Sequence, residues 1–394
     1  MIYHANYGKI NIGMSAVIYL DYAAATPMDP AVLEAMQPYF SAQFYNPSAT
    51  YSAAEQVRRD VEVARARVAY WLGARPSEII FTAGGTEANN LAIHGVMQHF
   101  PDGNVVVSAI EHESVLAAAH AYDCREAGVT PDGIVDIDKL ANQIDDSTVL
   151  VSVMYANNEV GTIQPIRQIA LLLGQIRKDR QTKGNKLPLY FHTDAAQAAA
   201  YLDLHTARLG VDLMTINGGK IYGPKQTGVL FVGSNVQLKP QVLGGGQERG
   251  MRSGTENVAG VIGLAKALDL VQERRHEETK RLQSLQRKFF DLIEEEFPEA
   301  VINGSRKHRL PNNVHVTFPG QDNERLIFQL DEAGILCAAG SACSASNEEP
   351  SHVLKAMGKT DEEARSSLRF TMGSQTTDDD VRRAIETLET IIKP

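Results

Sequence analysis

Lys220 and Asp194 are the residues of this 394-residue chain from which chemistry can be argued. Lys220 sits in Met214-Thr-Ile-Asn-Gly-Gly-Lys-Ile-Tyr-Gly-Pro-Lys225, and Asp194 ends the apolar stretch of Phe191-His-Thr-Asp-Ala-Ala-Gln197. A lysine carries an aldehyde as a Schiff base only if its amine loses a proton near neutral pH, which burial and nearby positive charge bring about. A carboxylate against a pyridine nitrogen keeps that nitrogen protonated, so the ring can take up the electrons of a carbanion. The two side chains, each closing a strand, suit electron-sink chemistry of this kind. Lys220 taken alone reads more readily as a solvated loop lysine, the fate of most lysines.

Other candidates surround this pair. Gly84-Gly85-Thr86 follows a strand and precedes a helix, where glycines let the backbone approach an anion, the helix N-terminus offers free N–H groups and Thr86 adds a hydroxyl. An ordinary strand-to-helix turn with a Thr cap fits that segment equally well. His112 ends another strand, and an imidazole combines a flat face with a near-neutral titration. Asn158 and Gln197 offer amides after the next strands, though loops are commonly stabilised by such side chains. Cys343 lies in Cys337-Ala-Ala-Gly-Ser-Ala-Cys343, a small-residue stretch that predicts an exposed loop from which a thiolate can reach outward. Cys337, after Gly334-Ile-Leu, and Cys124, expected in a helix after Ala-Tyr-Asp, read as packing residues. A Cys337–Cys343 disulfide or metal site lacks partners at ligand spacing, and no metal is expected.

The elements that must position these groups alternate. Apolar spacing predicts a helix from Ser52 through Trp71, followed by a strand at 79–82. Further short, β-branched runs cover 104–110, 148–154, 188–192 and 213–216, separated by helix-length segments. That is the pattern of a parallel sheet buried on both faces, with the candidate residues just past its strands. From about Gly260 the texture changes to a long charged helix centred on Glu273-Arg-Arg-His-Glu-Glu-Thr-Lys-Arg281. Strand-like runs at 313–318 and 367–371 and a last helix over 379–392 follow. The expectation is an α/β chain with a large domain over 18–260 and a smaller α+β domain over 261–394, against which residues 1–30 pack.

Bulk properties narrow the class. Hydrophobic and charged shares of 43% and 22% are ordinary for a globular protein. A formal net charge of -10 argues against nucleic acid as a partner. No apolar run reaches the roughly 18 residues that span a bilayer, and the N-terminus does not read as a signal peptide. Three cysteines make a disulfide framework unlikely to be the organising principle and point to a reducing, cytoplasmic setting.

Taken in order, the markers Leu20-Asp-Tyr-Ala-Ala-Ala-Thr-Pro27, Phe81-Thr-Ala-Gly-Gly-Thr-Glu-Ala-Asn-Asn90, Glu111-His112, Asn157-Asn-Glu-Val-Gly161, Asp194-Ala-Ala-Gln197, Lys220, Gly250-Met-Arg-Ser-Gly-Thr255 and Gly340-Ser-Ala-Cys343 resemble those of cysteine desulfurases of the NifS/IscS type. These are fold-type I pyridoxal phosphate (PLP) enzymes of the class V aminotransferase group. The resemblance runs from about Ile18 to about Ile391. It implies a mostly parallel, seven-stranded sheet flanked by helices. Lys220 would carry PLP, Asp194 would face its ring nitrogen, and His112 would stack on the ring and move protons. Gly85 and Thr86 would hold the phosphate, with Asn217 and Gly219 in the second phosphate segment. Asn158 and Gln197 would lie near the ring's phenolic oxygen. Thr255 would reach the neighbouring subunit's cofactor, so that a homodimer completes each site. Arg369 would grip the α-carboxylate of L-cysteine, with Asn158 and Asn46 also on the substrate side. Cys343 would take the sulfur as a persulfide, release alanine, and pass the sulfur to an acceptor protein such as an iron–sulfur scaffold.

The chain departs from the pattern in places. Where the family usually has Ser-Gly-His-Lys, this sequence reads Asn217-Gly218-Gly219-Lys220, and one lost charge-assisted hydrogen bond to phosphate is worth about 1.5–3 kcal/mol. Tyr51 stands where a histidine is common, Gln226 replaces a usual glycine, and the sequence stops at Pro394, where relatives serving a scaffold often carry a longer docking tail. Selenocysteine lyase and other class V aminotransferase chemistry are the alternatives, the latter needing no loop thiol. A third is a non-catalytic sulfur-assembly partner.

Overall fold

The β-branched runs do form strands, because each is short, apolar on both faces and bounded by residues that stop it. In the computed structural model, which describes residues 17–340 and 350–393, they build one seven-stranded sheet. Its spatial order is Ile79–Thr82, Gly228–Val232, Leu213–Asn217, Tyr190–Asp194, Thr148–Ser152, Asn104–Ser108 and Cys124–Ala127. Gly228–Val232 runs antiparallel to both of its neighbours, and the remaining pairings are parallel. The five residues of Asn104–Ser108, Thr148–Ser152 and Tyr190–Asp194 are all buried, as a sheet covered on both faces requires.

Two elements differ from the sequence expectation. Cys124 opens an edge strand, not a helix. The strand Cys124-Arg-Glu-Ala127 pairs with Val105–Ser108 but is polar and only partly buried, so it carries no apolar run to read. Gly228–Val232 was not anticipated at all. It pairs in register with Leu213–Asn217, and the connection between them carries Lys220. Strand ends elsewhere move by a residue or two; the run at 188–192 becomes Tyr190–Asp194, which puts Asp194 itself on the ladder.

The helix Ser52–Leu72 ends where Gly73 turns left-handed at φ 60. The long helix Val258–Glu296 starts with the Asn257 side chain accepting from Gly260 N–H. Its first half is buried nearly all round; its second half buries only a stripe through Leu282, Leu285, Phe289 and Ile293. That helix packs against Ser52–Leu72, against Asp378–Ile392 and against Asn313–Thr317. A separate three-stranded antiparallel sheet orders Ser367–Thr371, Asn313–Thr317 and Val301–Ile302. Near the start of the described chain, Ile18–Tyr19 pairs with Ile335–Leu336, and Tyr22 N–H donates to Thr371 O at 3.2 Å. The Leu20–Thr26 stretch is thereby threaded between the two sheets. Among the described residues, no helix is long and apolar enough to cross a membrane.

Candidate active site

A cavity of about 220 Å3 opens past the carboxyl ends of the parallel strands. Nine predicted residues line it: Gly85, Thr86, His112, Asn158, Asp194, Gln197, Asn217, Lys220 and Arg369. The strand ends explain the convergence. Asp194 is the last residue of its strand, Asn217 ends the next, and Lys220 closes the single turn after it.

Lys220 is held by backbone. Its Nζ donates to Ala23 O and Ala24 O, both at 2.7 Å, and Gln197 Nε2 donates to the same Ala23 carbonyl at 3.0 Å. The N-terminal Asp-Tyr-Ala-Ala stretch therefore works as the cradle of the amine. Asp194, 7% exposed, accepts from Asn89 Nδ2 at 2.7 Å and from Ala196 N–H at 2.9 Å. Among the described residues it forms no ion pair within 4 Å, and it shares the cavity with the Lys220 amine.

The turn at Gly84-Gly85-Thr86 has the geometry the sequence suggested. Gly84 sits at φ 107, where a side chain is strained, and the helix Gly85–His99 begins with no side-chain cap on its N–H groups. The strand residue Gly228 lies against it: a Cβ there would meet the Gly84 carbonyl carbon at 2.6 Å. Asn217 links this turn to the lysine. Its Oδ1 accepts from Gly219 N–H at 3.0 Å, and its side chain packs on the bare face of Gly85. Gly219 lines no cavity wall, yet has room, since a Cβ there would meet nothing closer than 3.5 Å. Gln226, in place of the usual glycine, adopts φ 57, a left-handed conformation that costs a side chain roughly 1–2 kcal/mol.

Arg369 is no surface arginine, although its strand edges the smaller sheet; it is 1% exposed. Nη1 donates to Asn158 O at 3.0 Å, Nη2 to Asp21 Oδ1 at 2.6 Å, and Nε has no partner. Glu111 is wholly buried beside His112; burial pushes its carboxyl well above the carboxylate range, while Oε1 accepts from Met154 N–H at 2.6 Å.

Among the described residues, Gly219, Thr255 and Asn46 do not line this cavity. Thr255 is exposed and lines a separate cavity of about 250 Å3 together with Gln226 and Arg252. Asn46 is exposed, its Oδ1 accepting from Ser48 N–H. Cys343 lies outside the described residues. The chain on either side of its segment is anchored near the cavity. Arg369 N–H donates to Ala338 O at 2.6 Å, and Ser351 Oγ donates to buried Glu159 at 2.5 Å. The other two thiols are suppressed, Cys337 being pushed up to about 12 and Cys124 to about 11, in both cases chiefly by burial.

The cavity also contains residues that sequence reasoning passed over. Asn89 lies one helical turn after Thr86 and so faces the same way; Ser114 follows His112 by two. Asp21, outside the lining but bound to Arg369, has no role that the sequence suggests. A larger cavity, about 490 Å3, lies beside Tyr201, Tyr222 and the long helix and contains none of the predicted residues. Its size does not outweigh the convergence of acid, amine and guanidinium in the smaller one.

Comparison with known proteins agrees with this geometry. Residues 18–384 match the family described as Aminotransferase class-V. The chain is 40% identical over 389 residues to a protein of Clostridium botulinum named cysteine desulfurase IscS, covering 96% of this chain and 95% of that one. A solved NifS-like protein superposes with a TM-score of 0.87 at 30% identity, over 96% of this chain and 99% of the other. A structure titled SspA in complex with cysteine gives a TM-score of 0.77 at 34% identity, over 90% and 98%. With nine of the expected side chains in one cavity and matches of this extent, the chain belongs to the class V aminotransferase family and, within it, to the PLP-dependent cysteine desulfurases of the IscS and NifS type.

Proposed function

We propose that this chain converts L-cysteine to L-alanine, takes the sulfur onto Cys343 as a persulfide and delivers it to a protein acceptor for iron–sulfur cluster or thio-cofactor assembly. The observation that carries the reading is the meeting of Lys220, Asp194 and Arg369 in one cavity: an amine for an aldehyde, a carboxylate for a pyridinium and a guanidinium for a substrate carboxylate.

The residues fit PLP. Buried Asp194 accepts only from Asn89 and Ala196 N–H among the described residues, and a protonated pyridine nitrogen is a donor of the right shape for it. The uncapped start of Gly85–His99 offers N–H groups to a phosphate. Bound through its aldehyde to Lys220, PLP supplies a sink for the electrons freed at the substrate carbon.

The protein's own groups do the rest. Ala23 O and Ala24 O aim the Lys220 amine, and Asn89 and Ala196 N–H fix the plane of Asp194. Arg369 orients the cysteine carboxylate through its fork of donors. The Cys343 thiolate would attack the substrate sulfur, forming the S–S bond as the C–S bond breaks; the bond's electron pair stays with the substrate carbon, which takes a proton to become the methyl of alanine.

The same reading assigns residues 18–260 to a large cofactor-binding domain and 261–394 to a small one, with the N-terminal stretch through residue 30 packing on the latter. The pairing of Ile18–Tyr19 with Ile335–Leu336 supports that placement. Thr255, exposed and away from its own chain's Lys220, is assigned to the cofactor phosphate of a second copy, and Asn46 to the substrate side of the site. The setting proposed is the cytoplasm.

Incubation of the yellow, PLP-loaded protein with cysteine should give alanine and protein-bound sulfane sulfur in equal amounts. Cys343→Ala should keep the colour and lose the sulfane sulfur; Lys220→Ala should lose covalent PLP. Alanine from selenocysteine but not from cysteine would replace the reading with a selenocysteine lyase.

A further inference from the structure

We infer that Asn89 and Ser114 are positioning residues that hold the His112 ring in a single tautomer, with its proton on Nε2, through a hydrogen-bond chain that begins at Asp194. The inference deepens the desulfurase reading by assigning which face of the His112 imidazole can donate.

The direction of every link follows from chemistry. An ionised carboxylate only accepts, so the group of Asn89 that lies 2.7 Å from Asp194 Oδ2 is its amide nitrogen. That Nδ2 has a second hydrogen, and Ser114 Oγ lies 2.8 Å away to accept it. The Ser114 hydroxyl, which keeps a second lone pair and its one hydrogen, lies 2.9 Å from His112 Nδ1. The Ser114 backbone N–H, which can only donate, reaches the same Nδ1 at 3.1 Å. Nδ1 is therefore an acceptor, the Ser114 hydroxyl turns its hydrogen to it as well, and a proton on Nδ1 would break the backbone contact. A neutral ring so held has its proton on Nε2.

Two further facts make the chain rigid. His112 is the N-cap of the helix Glu113–Ala119, so its Nδ1 contact is part of how that helix starts. Asn89 is 1% exposed and its Oδ1 has no partner, an orphaned acceptor that persists because the amide is pinned on its nitrogen side. Among the described residues Nε2 makes no hydrogen bond, and His112 lines the cavity. In this arrangement the ring is a hydrogen-bond donor toward the cavity.

Solid-state 15N spectra of the PLP-loaded enzyme labelled with [15N]histidine test this directly, with the His112 signals assigned by their loss in His112→Gln. The expected pattern is one pyrrole-type nitrogen bearing the proton at Nε2 and one pyridine-type nitrogen at Nδ1. Ser114→Ala and Asn89→Ala should each shift the Nδ1 signal toward a weaker hydrogen bond, and Ser114→Thr should restore it. In steady state both alanine variants should lose kcat for alanine formation by about tenfold, the worth of one hydrogen bond, with KM for cysteine unchanged. A proton on Nδ1 in the wild-type enzyme, or a His112 signal unmoved in Ser114→Ala and Asn89→Ala, would overturn the inference. The wild-type spectrum and Ser114→Thr decide the matter even if a truncated variant fails to fold. Wild-type enzyme that makes no alanine would sink the desulfurase reading instead, since the spectrum does not depend on turnover.

Discussion

Arg369 Nη2 lies 2.6 Å from Asp21 Oδ1, and the Asp21 carboxylate therefore occupies an edge of the guanidinium proposed to bind the substrate. Nη1 is also taken, by Asn158 O, and only Nε is left without a partner. Each Nη keeps a second hydrogen, so a substrate carboxylate would use those and the Nε–H beside Asp21, or take the place of Asp21.

Competition of this kind gives opposite effects for the two partners. Asp21→Asn, which keeps the shape and removes the charge, should lower KM for cysteine. Arg369→Leu should raise it on the order of a hundredfold, because a desolvated charge contact is worth about 2–5 kcal/mol. Steady-state kinetics decide the point; a KM raised by Asp21→Asn would show that Asp21 orients the arginine and does not compete for it.

The Asn217-Gly218-Gly219-Lys220 departure is reversible. Gly219 has room for a side chain and its Cβ position is 3.5 Å from the nearest atom, Asn217 Oδ1. Gly219→His should restore a charged donor at the phosphate segment and slow loss of PLP on dialysis by tenfold or so, as expected of about 1.5–3 kcal/mol. Equal loss from variant and parent, followed by absorbance, would place the phosphate elsewhere.

Thiol chemistry separates the three cysteines. With Cys337 pushed up to about 12 and Cys124 to about 11, both remain protonated at pH 8 and react slowly. Iodoacetamide should therefore modify one thiol per chain under native conditions, and Cys343→Ala should abolish the reaction. Mass spectrometry of the labelled peptides would reveal a second reactive site if Cys337 is accessible.

Two buried histidines make the fold acid-sensitive. His192, between Ser152 Oγ and Thr215 Oγ1, is depressed to about 4, and His315 to about 3, both chiefly by burial. Unfolded, each titrates near 6.5. Because the unfolded chain binds these protons first, the stability they contribute is complete above pH 6.5. It is lost as pH falls toward 4 and 3, by about 1.4 kcal/mol per pH unit for each ring. The thermal midpoint should drop between pH 6.5 and 4.5, and less steeply in His315→Asn. An identical slope in that variant would remove His315 from the account.

Much of the site was legible in the chain itself. Lys220, Asp194, Gly85 and His112 could be read because each lies at the end of an apolar, β-branched run, and in an open sheet strand ends converge on one edge. The seven-stranded sheet was legible for the same reason, except where the signal was weak. Cys124–Ala127 is polar and at the edge, and Gly228–Val232 pairs antiparallel to a sheet otherwise read as parallel.

What no local pattern contains is the choice of partner. Asp21 on Arg369, Asn89 on Asp194, Ser114 on His112 and the Ala23 and Ala24 carbonyls on Lys220 are common residue types or plain backbone; spacing puts Asn89 on the Thr86 face and Ser114 beside His112, but it does not name their partners. Most join groups distant in the chain: Asp21 meets Arg369 only because Tyr22 and Ala338 pair with the strand that carries it, and Asn89 meets Asp194 only because its helix packs on that strand. Hydrogen bonds act over about 3 Å. Which donors and acceptors come within that range is decided by packing of the whole chain, whereas the residue types able to do chemistry are written in its order.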